Sequence, residues 1–136
     1  MLQYALISLQ RNGNSLGMPA RQRAKWTKDI GFKTKDARKE EVDILWFIGD
    51  FVSFDPRVQA ITIKVALTLQ ECGVDFGILY EAEHNSGNDA RRVGEKVMFE
   101  TLARQNIEYC RSSSWSAGVL VRTASRSRCF RSKIVA

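Results

Sequence analysis

A chain of 136 residues, 44% hydrophobic and 26% charged, has the length and composition of one soluble globular domain with a modest core. Its longest apolar runs, such as residues 44–49, fall far short of a membrane span, and no basic stretch leads into an apolar run with a cleavage site. A cytoplasmic protein is therefore expected. The net charge of +6 is local: residues 1–109 carry 15 basic and 15 acidic side chains, and the excess lies in Arg111, Arg122, Arg126, Arg128, Arg131 and Lys133. A neutral body does not call for a polyanion partner; nucleic acid is not expected, beyond a salt-sensitive contact of the basic end.

In chain order, residues 1–11 read as a short helix with Leu2, Leu6 and Leu9 on one face, broken by Asn12-Gly13-Asn14. Pro19 to Asp29 reads as a second helix anchored by Trp26, with proline early, where its missing N–H costs nothing. The charge-dense stretch Lys33 to Glu41 reads as a solvated loop. Val42 to Ile48, bounded by Gly49, reads as a buried strand. Asp55 as N-cap and Pro56 as first residue open a helix, with Val58, Ile61, Val65, Ala66 and Leu69 as its buried stripe and Gly73 as its stop. Val74 to Tyr80 reads as a second strand, and Asp89 to Asn106 as a helix with Val93, Val97 and Leu102 inward. Residues 110–136 hold seven serines and six basic residues without an apolar period. Val119-Leu120-Val121 and Ile134-Val135 are short for strands.

The expected fold is α/β: a partial parallel sheet with a β-α-β-α core, preceded by short N-terminal helices and followed by an irregular tail. The expected division is a helical linker segment at 1–41, an α/β half-domain at 42–109, and a basic Ser/Arg-rich tail at 110–136. Two strands do not make a stable sheet, so further strands are required, and the tail is where the remaining chain could supply them.

Ligands of open parallel sheets bind at the carboxyl ends of the strands. Two loops fall there, residues 49–57 and 83–89. The second leads into a helix whose first turn would hold Arg91 and Arg92; basic residues there oppose the helix dipole, so either an anion sits nearby or the two are solvated. His84, the single histidine, reads as a surface loop residue rather than a ligand. Asp50 reads as a turn residue rather than a general base. Glu81 and Glu83 read as solvated. Trp46, Phe47, Phe51 and Phe54 read as core rather than pocket lining. Cys72, Cys110 and Cys129 lack metal-ligand spacing, and Cys72 reads as a small buried apolar residue.

Several ordered stretches carry a family resemblance. Ile44-Leu45-Trp46-Phe47-Ile48-Gly49, Asp55-Pro56-Arg57, Cys72-Gly73-Val74-Asp75-Phe76, Asn85-Ser86-Gly87-Asn88 and Ala90-Arg91-Arg92-Val93-Gly94-Glu95 resemble the cysteine-rich (CCG-type) domain of heterodisulfide-reductase-like iron–sulfur oxidoreductases. These include iron–sulfur subunits of glycolate and glycerol-3-phosphate oxidoreductases and of electron-transfer-flavoprotein:quinone systems. The similarity runs from about Val42 to Tyr109. More weakly, Asn12-Gly13-Asn14-Ser15-Leu16-Gly17 and Arg23-Ala24-Lys25-Trp26 resemble the preceding linker.

The resemblance implies a fragment of an electron-transfer subunit carrying 4Fe-4S clusters in its full-length form. Electrons would pass between a flavoprotein or dehydrogenase and a quinone or disulfide acceptor, in a complex at most bound to the cytoplasmic face of a membrane. It places the cluster loops at Gly49, Asp50, Asn85, Ser86, Gly87, Asn88 and Arg91. Where the family has a cysteine after the first strand's glycine this chain has Asp50, and where it has Cys-Cys-Gly this chain has Asn85-Ser86-Gly87. Thiolates are what these clusters need, so this fragment is expected to bind no cofactor or metal and to catalyse nothing alone. The family's next strand and cysteine loop are not recognisable beyond Arg111, which leaves residues 110–136 as out-of-frame translation, a disordered appendage or a divergent ordered end. The alternative to a redox role is a small anion- or nucleotide-binding α/β module.

Overall fold

The computed structural model describes residues 2–121. Helix α1 (Leu2–Asn12) leads into two 3-10 turns, Ala20–Gln22 and Lys25–Asp29. Then follow β1 (Lys35–Asp36), β2 (Val42–Phe47), α2 (Asp50–Phe54), α3 (Pro56–Glu71), β3 (Phe76–Ile78), a 3-10 turn at Tyr80–Ala82, α4 (Asn88–Arg92), α5 (Lys96–Ser112) and β4 (Trp115–Val121). The strands form one parallel sheet in the order β1-β3-β2-β4. The expected α/β class and its β-α-β-α core are present.

Two of the four strands come from places where the sequence reads as irregular. β1 lies inside the charged 33–41 stretch; it pairs Lys35 with Gly77 and Asp36 with Ile78, and the Lys35 ammonium reaches Asp75 at 2.7 Å. β4 lies beyond residue 110 and pairs with β2 from Val42↔Trp115 to Phe47↔Val121. The expectation of an irregular segment from 110 onward is thus corrected for 110–121, where α5 runs to Ser112 and β4 follows; residues 122–136, including Cys129 and Ile134-Val135, lie outside the described residues. Both are edge strands, each paired with a single neighbour, and each is placed by that neighbour's ladder rather than by a signal of its own.

Alternation along β2, interrupted by a register shift between Val42 and Ile44, sends side chains to two faces. Trp46 and Ile48 join Phe76 and Ile78 of β3, Ala66 of α3, and Trp26 and Ile30 of the N-terminal turns. Here Trp26 meets Trp46 edge-on at 5.8 Å, and Trp46 meets Phe76 at 5.6 Å, geometries that favour aromatic pairs. Val42 and Leu45 pack instead with Ala37, Leu79 and Ala82, joined by Cys110 and Trp115. A third cluster joins Leu9 of α1 to Ala90 and Leu102. The N-terminal segment is therefore packed against the sheet and helices, not strung beside them. Gly77 permits the close passage of β1: an added Cβ would stand 2.9 Å from Val42 Cγ1 and 3.1 Å from the Lys35 carbonyl oxygen.

Helix α3 starts as its caps dictate, with Asp55 accepting the Arg57 N–H at 3.0 Å. Its buried face runs through Thr62 and Ala66 with Ile63, Val65 and Leu69, while Ile61 is 46% exposed, a correction to the expected stripe. The Pro19–Asp29 helix is replaced by the two 3-10 turns, which tether Trp26 and Arg23 over a short, tight path. The Asp89–Asn106 helix is divided: Gly94 sits at φ +87°, a region that stops a helix, and α5 restarts at Lys96. Of its expected inward residues Leu102 is buried, but Val93 and Val97 are exposed. Cys72 caps the end of α3 in solvent rather than in the core.

Candidate functional site

The two loops at the carboxyl ends of β2 and β3 meet. Gly49 precedes α2 and Asp50 begins it, so the Asp50 carboxylate lies at the top of β2. The chain leaving β3 passes Tyr80, which holds φ 53°, costly for an L residue by about 1–2 kcal/mol. Its hydroxyl donates to the Thr34 carbonyl at 2.7 Å and its ring packs on the first cluster. That turn delivers Glu83 beside Asp50.

Between the two carboxylates lies Arg23, reaching in from the N-terminal turns. Its Nη2 donates to Asp50 Oδ1 at 2.8 Å and its Nη1 to Glu83 Oε1 at 3.0 Å; the three side chains are 3%, 1% and 1% exposed. The guanidinium also stacks over the Phe54 ring at 5.0 Å. Glu83 accepts further bonds from the backbone N–H of Ile48 (2.8 Å) and Gly49 (2.7 Å). Asp50 Oδ2 accepts from the Ser15 N–H at 2.9 Å, the Ser15 hydroxyl at 3.3 Å, and the Asn85 amide. Burying charge is costly unless each atom finds a partner; all four carboxylate oxygens do, while the buried Arg23 Nε–H has none among the described residues. One cation faces two anions, so the neutral donors carry the remaining charge. Burial pushes the Glu83 carboxyl up, against the pull of Arg23 and the two backbone N–H groups.

The second loop is fixed from behind. Asn106 of α5 accepts the His84 N–H at 2.9 Å and donates to the carbonyls of His84 (3.2 Å) and Asn85 (3.0 Å). Asn85 Oδ1 accepts the Gly87 N–H at 2.7 Å, and the Asn85 N–H donates to the Gly13 carbonyl at 2.7 Å. His84 Nδ1 lies 2.9 Å from the Ala82 carbonyl oxygen, which accepts only, so that nitrogen carries the hydrogen. The ring stacks with Tyr109 and borders a groove of about 760 Å³ between the end of α1 and the first turns of α5.

Of the positions singled out in the sequence, Gly49, Asp50, Asn85 and Gly87 come together here. Ser86 is half-buried beside them, whereas Asn88 and Arg91 are exposed. Asp50, read as a turn residue, begins α2 and is buried, and Glu83 is buried rather than solvated. Glu81 does stay exposed, bridged to Arg38 at 2.8 Å. Trp46, Phe47 and Phe54 are core; Phe51 is 52% exposed. Arg91 and Arg92 close α4 rather than open a helix, where positive charge suits the dipole, so the argument for an anion falls away. Sequence reasoning missed Arg23 and Asn106; an arginine three residues before a core tryptophan, and an asparagine within an apolar helix face, were the available signals. Among the described residues no group of three or more His, Cys, Asp or Glu side chains could hold a metal ion.

Over 111 residues the chain is 38% identical to the "Probable iron-sulfur-binding oxidoreductase FadF" of Bacillus subtilis, covering 77% of this chain and 16% of that protein. Over 112 residues it is 32% identical to the "EtfAB:quinone oxidoreductase" of Syntrophomonas wolfei, covering 78% of this chain and 15% of that one. The chain is thus similar to a segment of proteins named as iron–sulfur-binding or quinone oxidoreductases. A third relative, the "Probable membrane-anchored ferredoxin" of Chromohalobacter salexigens, is 36% identical over 86 residues, 63% of this chain and 12% of its own length. The chain thus spans about one sixth or less of these iron–sulfur relatives. No family model and no solved structure matches. No helix among the described residues is long and apolar enough to cross a membrane.

Proposed function

We propose that this chain is a segment of an electron-transfer component of the heterodisulfide-reductase type. In the whole protein, electrons pass between a flavoprotein or dehydrogenase and a quinone or disulfide acceptor, in a complex on the cytoplasmic side. The names of the relatives support the redox role. The segment itself holds no cluster and performs no catalysis alone; it serves as scaffold and docking surface for other domains or subunits.

The observation that carries the cluster-free reading is the state of Asp50. Iron–sulfur clusters take thiolates. The two loops instead present carboxylate, amide and hydroxyl groups, and both Asp50 oxygens already accept bonds from Arg23, Ser15 and Asn85. A group occupied by a guanidinium at 2.8 Å is not free to bind iron. Cys110 packs against the second cluster, with burial raising its thiol to about 11, which keeps it protonated.

Iron and acid-labile sulfide analysis of the anaerobically reconstituted chain, with its electron paramagnetic resonance spectrum, tests this. The expected result is no stoichiometric iron and no cluster signal. A four-iron, four-sulfide stoichiometry would refute it.

A further inference from the structure

We propose that Arg23 is the bridging group of the two loops: the chain contains a guanidinium-binding site, built at the carboxyl ends of β2 and β3 and filled in cis by its own N-terminal segment. This rests on the cluster-free reading above. Two separate pieces of chain converge on one planar cation supplied by a third. Asp50 comes from the loop after β2 and Glu83 from the loop after β3, 27 and 60 positions from Arg23 respectively. Both carboxylates are held in place before the cation is counted, Glu83 by two backbone N–H groups and Asp50 by Ser15 and Asn85. The Phe54 ring supplies a face for the flat cation, and Ser53 Oγ lies 3.3 Å from Nη1.

The specificity follows from shape. The two carboxylate oxygens are addressed by two different nitrogens of one fork, Nη1 and Nη2. An ammonium is a single point of charge and cannot serve both with the same geometry. Without a cation, two buried carboxylates face each other with only neutral donors, which breaks the loops apart. The bridge therefore does without metal what a bound group between these loops would otherwise do, and it makes the N-terminal segment an obligate part of the unit.

The test compares wild type, Arg23→Ala and Arg23→Lys by thermal unfolding, with and without chelator, and with ethylguanidinium or ethylammonium at concentrations far below denaturing ones. Losing one partner of a buried ion pair lowers the midpoint by roughly 10 °C or more in a domain this size. Arg23→Ala is expected to fall by that much and to recover with ethylguanidinium but not ethylammonium. Arg23→Lys is expected to lie between. If Arg23→Ala does not fold alone, the same two cations are compared on refolding yield, and no advantage for ethylguanidinium overturns the proposal. An Arg23→Ala chain as stable as wild type, free of metal, overturns the bridge and leaves the cluster-free reading standing. Bound iron and sulfide with chelator-sensitive unfolding of wild type would overturn the cluster-free reading itself.

Discussion

Replacing Asn106 with alanine removes the one side chain that holds the His84–Asn85 backbone from below. Three hydrogen bonds vanish, at 2.9, 3.2 and 3.0 Å, and they leave a backbone N–H and two carbonyls in a largely buried position. At about 1 kcal/mol net for each, with a surcharge for buried groups left unpaired, the loss is about 3–4 kcal/mol. Urea unfolding at 25 °C should show a lower midpoint at unchanged slope, and hydrogen exchange at the His84 amide should accelerate before global unfolding. Asn106→Asp sharpens the test. Its carboxylate still accepts from the His84 N–H but faces two carbonyl oxygens it cannot donate to, so it should be at least as harmful at neutral pH. A change under ~0.5 kcal/mol in Asn106→Ala, within the range of an ordinary surface substitution, would refute the reasoning. So would a stability loss with no faster exchange at residue 84.

Thr62 Oγ1 is buried with no hydrogen-bond partner among the described residues, so Thr62→Val, which keeps the shape, should leave the thermal midpoint unchanged or raise it by a few degrees. In a Cys129→Ser background, Cys72 should alkylate readily at pH 8, while Cys110, with its thiol raised to about 11, should stay unmodified until the chain unfolds; mass spectrometry of the peptides decides it. Hydrogen bonding to Arg38 lowers the Glu81 carboxyl; at Asp36, burial pulls upward but the Arg38 bonds win, and the net direction is also down. Groups with folded pKa values below the unfolded ones add stability above the usual carboxylate range and lose it as pH falls through the folded values. Arg38→Ala should therefore flatten the acid limb of the stability–pH curve below about pH 5, and an unchanged limb would count against the ion pairs of Arg38 with Asp36 and Glu81.

Local chemistry made part of this fold legible. An aspartate–proline pair opens α3 and the apolar run Ile44 to Ile48 marks β2, because caps and buried strands write their signal into adjacent residues. The two added strands do not. β1 is two residues long and exists because Gly77 lets it approach β3, and β4 is assembled by β2 rather than by its own serines. The site follows the same division. The glycine-bearing loops were legible as strand ends, and their meeting follows from a parallel sheet. The partner that joins them was not, since nothing near Arg23 announces a carboxylate 60 positions away. Glu83 looked solvated for the same reason: charge is read as surface unless its counter-charge is visible nearby.

The strand order β1-β3-β2-β4 has a consequence for how such a chain emerges from a ribosome. β2, the most apolar strand, is made early, yet its second neighbour arrives only at residues 115–121. During synthesis of the intervening stretch, one flank of β2 presents open N–H and C=O groups beside Leu45 and Trp46, an invitation to pair with another nascent copy. Close spacing of nascent copies therefore favours mispairing at that flank until residues 115–121 arrive.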